Sequence, residues 1–487
     1  MKYDVAIVGN GIIGLSIAYN LTKKHNNIRI AVVAPKSRLS GATNAAGGMI
    51  SCFGELTHSS LKTELGNKKF DTCYKALRKW DDHINELNRG FSDKLEINKG
   101  TYVINNSKSG IVDHENIYAM IAALNDFNED YSRIDPFTIP GFKPVEDARA
   151  IEAYYLPNEG FINPTLILDR LLDILSANDN VDIIDDAVIK SDKNASGFSI
   201  ELKSNASITA DQLLLCAGSY TQSIIENSDF GINTVPIFAG LGQAVLIEKV
   251  INVPHLIRTP NRSGACGLHI LPYNDNSLYV GASNNVYVNP SDLSEVGIIH
   301  FLLECTVEQL HQDFYKAKMQ KIMVGNRPAS LDGLPLIGET SVKGLWVISG
   351  TYRDGFHQSP IISEEVANRI LGIDTSTDLS IFSPERKPIE HYTVEESIKE
   401  ATKHYMSGAY ERAMKLPKAG WDDFISGMIE DKIRELYNKI GVNFALNPDI
   451  VLMFQFSNNQ DALISYFQEY FKNFENNDNL EKMDLSA

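Results

Sequence analysis

The first fourteen residues constrain the fold of this chain more than any other stretch. Val5 to Val8 form an apolar run without a polar face, which is typical of a buried parallel strand. The run leads into Gly9-x-Gly11-x-x-Gly14, and the residues that follow have helical spacing. In such a unit the glycines permit a tight turn, the approach of backbone to a pyrophosphate and close packing of helix on strand, while the helix N-terminus attracts the phosphate charge. The stretch therefore predicts a Rossmann-like domain that binds a dinucleotide.

The second predicted strand, 28–33, departs from this pattern at its end. An acidic residue usually follows that strand and holds the ribose hydroxyls. Here the strand runs into Ala34 and Lys36 with no carboxylate. We therefore expect the ribose to be held by backbone, or by Ser37 or Arg38.

Composition excludes several classes of function. A chain of 487 residues is too long for a single core, so we expect two or three domains. The net charge of −17, with no cluster of basic residues, argues against a nucleic acid partner. No apolar run is long enough to span a bilayer and no signal peptide precedes the first strand, so we expect a cytoplasmic protein with no membrane partner. The five scattered cysteines, none in a C-x-x-C pair, indicate neither a disulfide framework nor a metal site.

A stretch of small residues follows the second strand. Nine of the twelve residues from 39 to 50 are small. Such a stretch cannot form a packed helix face, but it allows backbone to lie along a flat ligand. Further along, a period of two with Pro and Gly punctuation over 234–282 indicates an antiparallel sheet, and buried strands with glycine turns return over 324–355.

The chain changes character beyond Pro388. Residues 393–414, 421–440 and 461–474 have helical spacing and many aromatics, which predicts a separate helical unit. The aromatics are too many for a solvated segment, so we expect this unit to pack on the body, on a second copy of the chain or on a partner protein. We divide the chain into a Rossmann-like domain over 1–90, 151–230 and 324–388, an antiparallel-sheet substrate domain over 91–150 and 231–323, a helical C-terminal extension over 389–475 and a flexible tail over 476–487.

Taken in order, the motifs of residues 1–388 resemble those of the D-amino-acid oxidase and glycine oxidase family of FAD-dependent oxidoreductases. The helical extension has no matching motif in that family. The motifs that carry the resemblance are Gly9-x-Gly11-x-x-Gly14, the Gly41 to Met49 stretch, Gly160-Phe161-Ile162-Asn163-Pro164, Leu215-Cys216-Ala217-Gly218, Gly242-Gln243, Gly325-Asn326-Arg327-Pro328, Asp332-Gly333-Leu334-Pro335-x-Ile337-Gly338, and Gly350-Thr351-Tyr352-Arg353-Asp354-Gly355.

The resemblance implies an α/β fold with a Rossmann-like FAD-binding domain, an antiparallel-sheet substrate domain and, added to them, the all-helical extension. FAD is expected to be non-covalent, because Gly325 stands where some relatives attach it through cysteine, and 44–48 contain no histidine. The residues that the resemblance assigns to FAD are Gly9, Gly11, Ile12, Ile13, Gly14, Ser37, Arg38, Thr43, Asn44, Ala45, Ala46, Gly47, Gly48, Met49, Val188, Ala217, Gly218, Arg327, Gly350, Tyr352, Arg353, Asp354, Gly355, Phe356 and His357.

The resemblance also implies substrate roles. Arg353 matches the family arginine that clamps the substrate carboxylate, for which a guanidinium fork is well suited; the alternative is a structural ion pair. His269 stands three residues before Pro272, where the family often has a carboxylate-binding tyrosine, and the alternative is a core histidine. Arg327 is expected to support the flavin or to pack structurally rather than to contact substrate.

The expected function is that of an FAD-dependent oxidase. It would oxidise a glycine-like or N-substituted amino acid to an imine, which water hydrolyses to an α-keto acid plus amine, while O2 is reduced to H2O2. Three alternatives stay open: a dehydrogenase that uses another electron acceptor, an oxidase acting on an aminoacetate-modified tRNA nucleoside, and a flavin-binding regulatory or scaffold protein.

Overall fold

The computed structural model describes residues 2–38, 40–108, 110–261, 265–375, 377–412, 414–457 and 459–484. Its strands are β1 (Lys2–Val8), β2 (Ile30–Val33), β3 (Met49–Ile50), β4 (Asn98–Asn106), β5 (Ser132–Ile134), β6 (Ala150–Phe161), β7 (Val181–Ile184), β8 (Val188–Asn194), β9 (Gly197–Leu202), β10 (Ser207–Leu215), β11 (Ile237–Glu248), β12 (Leu256–Arg258), β13 (Ala265–Asn274), β14 (Ser277–Ser283), β15 (Asn285–Tyr287), β16 (Met319–Ser330), β17 (Leu336–Glu339) and β18 (Leu345–Ser349). Its α-helices are α1 (Ile12–Lys24), α2 (Ala42–Ala45), α3 (Glu64–Leu87), α4 (Ile111–Asp126), α5 (Pro164–Ser176), α6 (Thr221–Asn227), α7 (Val296–Cys305), α8 (Gly355–Leu371), α9 (Val394–Glu411), α10 (Trp421–Ile440), α11 (Pro448–Phe456) and α12 (Gln460–Asp484).

The first sheet contains the Rossmann-like motif. Its strand order is β17-β18-β10-β1-β2-β7, with β9 paired to β10 and β8 paired to β9. β1 pairs in parallel with both β2 and β10, and β10 with β18. The order of strands therefore reverses between β1 and β10. Ligands of open parallel sheets bind outside the carboxyl ends of the strands at such a reversal.

The second sheet is the substrate sheet, with strand order β15-β11-β14-β13-β12-β4-β6-β3. β16 pairs with β11 and β5 pairs with β6, and most neighbours are antiparallel. The stretch of small residues connects the two sheets, because β2 lies in the first sheet and β3 in the second. Backbone of this stretch therefore passes through the space between the two domains.

The C-terminal extension, helices α9 to α12, packs on the body. Phe467 of α12 stacks on Phe238 of β11 with ring centroids 5.8 Å apart and ring planes 12° from parallel. The apolar side chains of the extension share a core cluster with β10 and β11. In the middle of α9, the Glu400 carboxylate lies 3.2 Å from the Nε2 atom of His58, which belongs to the body. Phe454, Phe467 and Phe471 of the extension are therefore used in packing within one chain, whereas Tyr405, Trp421 and Phe424 are exposed.

The sequence-based fold class is confirmed, and several details differ. The small-residue stretch contains one helical turn, α2, although no packed helix was expected there. β6 and β16 pair within the substrate sheet, so the boundaries expected at 151 and 324 fall beside or inside its strands. α4 and α11 were not predicted. α12 continues through Asp484, beyond the expected end at 475, and residues 485–487 of the expected tail lie outside the described residues.

Candidate active site

A cavity of about 270 Å³ opens at the carboxyl ends of β1 and β10; we call it the cofactor cavity. Gly9 has φ +120°, and a Cβ atom there would lie 2.4 Å from the carbonyl oxygen of Cys216. A Cβ atom at Gly14 would lie 2.1 Å from the carbonyl oxygen of Gly9. The glycines thus bring β1, β10 and the N-terminus of α1 closer than side chains would permit. The backbone N–H groups at the start of α1 suit an anionic pyrophosphate.

Most of the residues predicted to bind the dinucleotide line this cavity. They are Gly9, Gly11, Ile12, Ile13, Arg38, Thr43, Asn44, Ala46, Val188, Ala217, Gly218, Arg327, Tyr352, Arg353, Gly355 and Phe356. Gly14, Ser37 and Gly350 do not line it: Gly14 is occupied in helix packing, Ser37 is exposed, and Gly350 forms a turn with φ +65° against Leu336. Asn10, Pro35, Tyr220 and Asn326 line it without having been predicted.

No carboxylate stands at the end of β2, and carboxylates of other elements contact the residues that follow this strand. The Asp185 carboxylate, which follows β7, accepts a hydrogen bond from the Lys36 backbone N–H at 2.7 Å. The Nη2 atom of Arg38 lies 3.3 Å from the Asp169 carboxylate. Of the two residues proposed from the sequence for the ribose, only Arg38 reaches the cavity.

A second cavity of about 70 Å³ adjoins the first, and we call it the substrate cavity. Ala42, Ala46, Arg327, Arg353 and Phe356 line both cavities. Further predicted residues that line the substrate cavity are Ala45, Gly47, Gly48, Met49, His269, Asp354 and His357. Ser51, Glu55, Gly242, Tyr279 and Gly325 line it as well. Arg353 and His269, assigned to substrate from the sequence, are therefore brought to one small space beside the cofactor cavity.

His269 is a buried, neutral wall of the substrate cavity. Its ring stacks on Tyr279, with centroids 5.7 Å apart, and its Nδ1 atom lies 3.1 Å from the carbonyl oxygen of Gly267. Burial lowers the pKa of His269 to about 4, and the charge of Arg258 adds to that effect. A histidine held neutral above that pKa provides shape and a hydrogen-bonding edge rather than a positive charge.

The loop after β3 is fixed by a buried carboxylate. Glu159 accepts hydrogen bonds from the Ser51 hydroxyl at 2.6 Å and from the backbone N–H groups of Cys52 and Phe53 at 2.7 and 2.6 Å. Burial raises the pKa of Glu159 despite these donors. These hydrogen bonds fix the loop that carries Glu55, the next charged residue, which lines the substrate cavity.

Three ion pairs surround the substrate cavity, each joining a lining residue to a partner outside it. They are Glu55–Arg258 at 2.5 Å, Asp354–Lys69 at 2.8 Å and Arg353–Asp449 at 3.4 Å. Burial alone would raise the pKa of Glu55, but Arg258 and the Asn261 amide outweigh it and hold that pKa below its usual range. Glu55 is therefore ionised at neutral pH.

Arg327 is placed differently from the other cations of the site. Its Nη1 atom donates to the carbonyl oxygen of Ser283 at 2.8 Å and to the Asn284 side-chain oxygen at 3.2 Å. Both acceptors are neutral, and within the described part of the chain no carboxylate forms an ion pair with Arg327. Arg327 therefore brings an uncompensated positive charge to both cavities, which of the two roles expected from the sequence suits support of the flavin better than structural packing.

Arg353 is contacted from the C-terminal extension. Asp449, the second residue of α11, accepts a hydrogen bond from the Tyr352 hydroxyl at 2.7 Å through the same oxygen that lies 3.4 Å from Arg353 Nη2. Asn284 also hydrogen-bonds the Tyr352 hydroxyl. The ion pair considered as the alternative role of Arg353 is thus present, and Arg353 lines both cavities as well.

An open parallel sheet with a dinucleotide cradle, joined to a mixed sheet over a small cationic cavity, is the architecture of a flavoprotein oxidoreductase. Residues 4–369 match the family described as DAO, FAD dependent oxidoreductase, and the chain belongs to that family. The protein is therefore an enzyme with FAD as its cofactor. The glycine-lined cradle at α1 and the small residues between the sheets fit that group.

The glycine oxidase of Geobacillus kaustophilus is a similar protein: it is 25% identical over 391 residues, which is 78% of this chain and 96% of that protein. Its crystal structure superposes with a TM-score of 0.67 at 21% identity, covering 79% of this chain and 99% of that one. Iminodiacetate oxidase from Chelativorans sp. BNC1 superposes with a TM-score of 0.65 at 18% identity, covering 79% of this chain and all of that one. At such identity the structures share the fold, and about a fifth of this chain lies outside the superposition. The family match ends before α9.

Within the described residues, no helix is both long and apolar enough to cross a membrane.

Proposed function

We propose that the protein oxidises the carbon–nitrogen bond of a compact amino acid, such as glycine or an N-substituted glycine. The product is an imine, which water hydrolyses to an α-keto acid and an amine, and O2 is reduced to H2O2. The observation that carries this proposal is that two arginines, Arg327 and Arg353, meet in a small cavity beside the cofactor cavity. The kinship with glycine oxidases, at low identity, is consistent with it.

Size favours a small substrate. A cavity of about 70 Å³ has room for about five water-sized groups. Glycine or N-methylglycine suits that space better than an amino acid with a large side chain. The His269 side of the cavity is closely packed, since Cβ atoms at Gly47, which lines the cavity, and at Gly281, which does not, would lie 3.4 and 2.7 Å from the Nε2 atom of His269.

Charge favours a carboxylate. Arg327 has neutral partners and Arg353 lines both cavities, so we place a substrate carboxylate against both guanidinium groups. In our proposal the carboxylate lies between them and the amine-bearing carbon faces the cofactor cavity. FAD, when bound, supplies the acceptor for the hydride equivalent leaving that carbon. The chain's own residues orient the substrate and exclude water, which is where the protein contributes most in such chemistry.

The proposal is tested with purified holoenzyme, glycine, N-methylglycine and methylamine. With glycine and with N-methylglycine we expect O2 uptake and the formation of H2O2 and an α-keto acid. With methylamine, which has no carboxylate, we expect none of these. Reduction of the flavin by the amino acids without O2 uptake would instead identify a dehydrogenase. Equal turnover of methylamine would contradict the carboxylate site.

A further inference from the structure

We propose that Asp449 of the C-terminal extension sets the charge of the substrate cavity, so that the site accepts amines with one carboxylate and discriminates against dicarboxylates. The proposal rests on the proposed function in that it takes carboxylate-bearing amines as the ligands. It gives the extension, which lies beyond the family match, a defined part in specificity.

Asp449 is held in place by a buried helix. The Asn447 side chain accepts a hydrogen bond from the Asp449 backbone N–H at 3.0 Å and so caps α11, with Pro448 at its first position. Ile450 and Val451, the next two residues, are 2% and 1% exposed. The Asp449 carboxylate is therefore held in a fixed position by the packing of its helix.

Tyr352 is the second fixed point of this contact. It has φ +49°, which is unusual for a bulky residue and persists only where its surroundings hold it. Its backbone N–H donates to the carbonyl oxygen of Pro328 at 2.9 Å, and its hydroxyl contacts both Asp449 and Asn284. Since Asn284 also accepts from Arg327, one connected network joins Asp449 to both arginines of the cavity.

Among the described residues, the charged side chains that line the cavity and their ion-pair partners add up to a single surplus cation. Glu55 and Asp354 are balanced by Arg258 and Lys69, as described above, and His269 and His357 are kept neutral because burial lowers their pKa. Asp449 balances Arg353. Arg327 remains, and it matches one substrate carboxylate. A second carboxylate would find no surplus cation and would be repelled by Asp449.

Replacing Asp449 by a neutral residue should therefore shift the ligand preference in a predictable direction. The cavity gains a second surplus cation, so ligands with two carboxylates gain more than ligands with one. The size of the effect follows from the interaction of two unit charges several ångströms apart at an effective dielectric constant of about 20, which salt weakens. The preference for one carboxylate over two should then shift about tenfold or more. A general loosening of the site would weaken the binding of both ligands together and leave the ratio of their dissociation constants unchanged.

The test measures the dissociation constants of acetate and malonate from the change they cause in the flavin absorbance of the holoenzyme. We expect the ratio of Kd for malonate to Kd for acetate to fall about tenfold or more in Asp449→Asn. The ratio of kcat/KM for iminodiacetate to that for N-methylglycine should rise in parallel. Asp449→Glu, which keeps the charge, and Asp431→Asn, an exposed carboxylate of α10, should both keep the wild-type ratios.

Asp449→Ser is a second neutral variant whose hydroxyl can still accept from Tyr352. An unchanged acetate-to-malonate preference in either neutral variant that retains FAD would overturn the proposal. Loss of FAD from both neutral variants would overturn it as well, because Asp449 would then belong to the fold or to cofactor binding. If no amino acid is oxidised while the anion preference shifts as expected, the proposed reaction is wrong and the role of Asp449 stands.

Discussion

Replacing Arg353 by alanine tests whether its guanidinium serves substrate or only Asp449. In the proposed site the side chain donates to the substrate carboxylate and neutralises the Asp449 carboxylate behind it. Arg353→Ala removes both effects and leaves the Asp449 carboxylate with the hydrogen bond from the Tyr352 hydroxyl. Truncating one partner of a desolvated charge pair costs about 2–5 kcal/mol, which corresponds to roughly 30- to several-thousand-fold in kcat/KM.

Two effects contribute to this loss of kcat/KM. The substrate carboxylate loses the Arg353 donor, and it is repelled by the Asp449 carboxylate, which Arg353 no longer neutralises. The double variant Arg353→Ala/Asp449→Asn removes the repulsion, so we expect it to recover part of the kcat/KM lost in Arg353→Ala. Arg353→Lys should also recover only part, because an ammonium cannot reproduce the planar fork.

The assay is steady-state kinetics at fixed ionic strength, with FAD content and thermal midpoint measured for each variant. Arg149→Ala, an exposed arginine of the body, is the matched control and should behave as wild type. Near-normal turnover in Arg353→Ala would refute the reasoning and leave Arg327 as the carboxylate ligand. Loss of FAD from Arg353→Ala would instead make the residue structural.

Three further predictions concern the cofactor, the extension and pH. FAD should be released into the supernatant on acid precipitation, because no attachment residue stands at the positions used by some relatives; colour kept in the pellet would contradict this. Truncation after Pro388 should give aggregating protein, since it uncovers Phe238 and its neighbours; a soluble, fully active truncation would count against it. The free energy of unfolding should fall as pH drops from about 6.5 to about 4. Burial lowers the folded-state pKa of His83 and His269 to about 4, so at these two residues only the unfolded chain takes up protons in that window. A flat profile of the urea midpoint over that range would contradict the third prediction.

The parts of the fold that are readable from sequence are those with a local cause. Gly14 is dictated by a steric contact within one strand–turn–helix unit, since a Cβ atom there would lie 2.1 Å from the carbonyl oxygen of Gly9, and Gly9 has φ +120° in the same turn. The capped start of α5 at Asn163 is equally local, since the Asn163 side chain accepts from the Thr165 backbone N–H at 3.0 Å. Such features predict both the cofactor cavity and its domain.

The features that sequence reasoning missed depend on distant partners. Glu55 meets Arg258 across 203 positions, and nothing in either neighbourhood signals the pair. α11 is nearly all apolar over Pro448–Phe456, so it has no polar face by which a period of 3.6 could be detected. The position of Asp449 beside Arg353 follows only from how that helix packs. Tyr279 was detectable in principle, because alternation along β14 puts it on the same face as Gly281.

The central claim is that a compact, carboxylate-bearing amine reduces the bound flavin. It is tested most directly by adding glycine, N-methylglycine or methylamine to the holoenzyme without oxygen and following the absorbance of the oxidised flavin. We predict bleaching by at least one of the two amino acids and none by methylamine at the same concentration. A flavin that stays oxidised with both amino acids, or that is bleached equally by methylamine, would contradict the account.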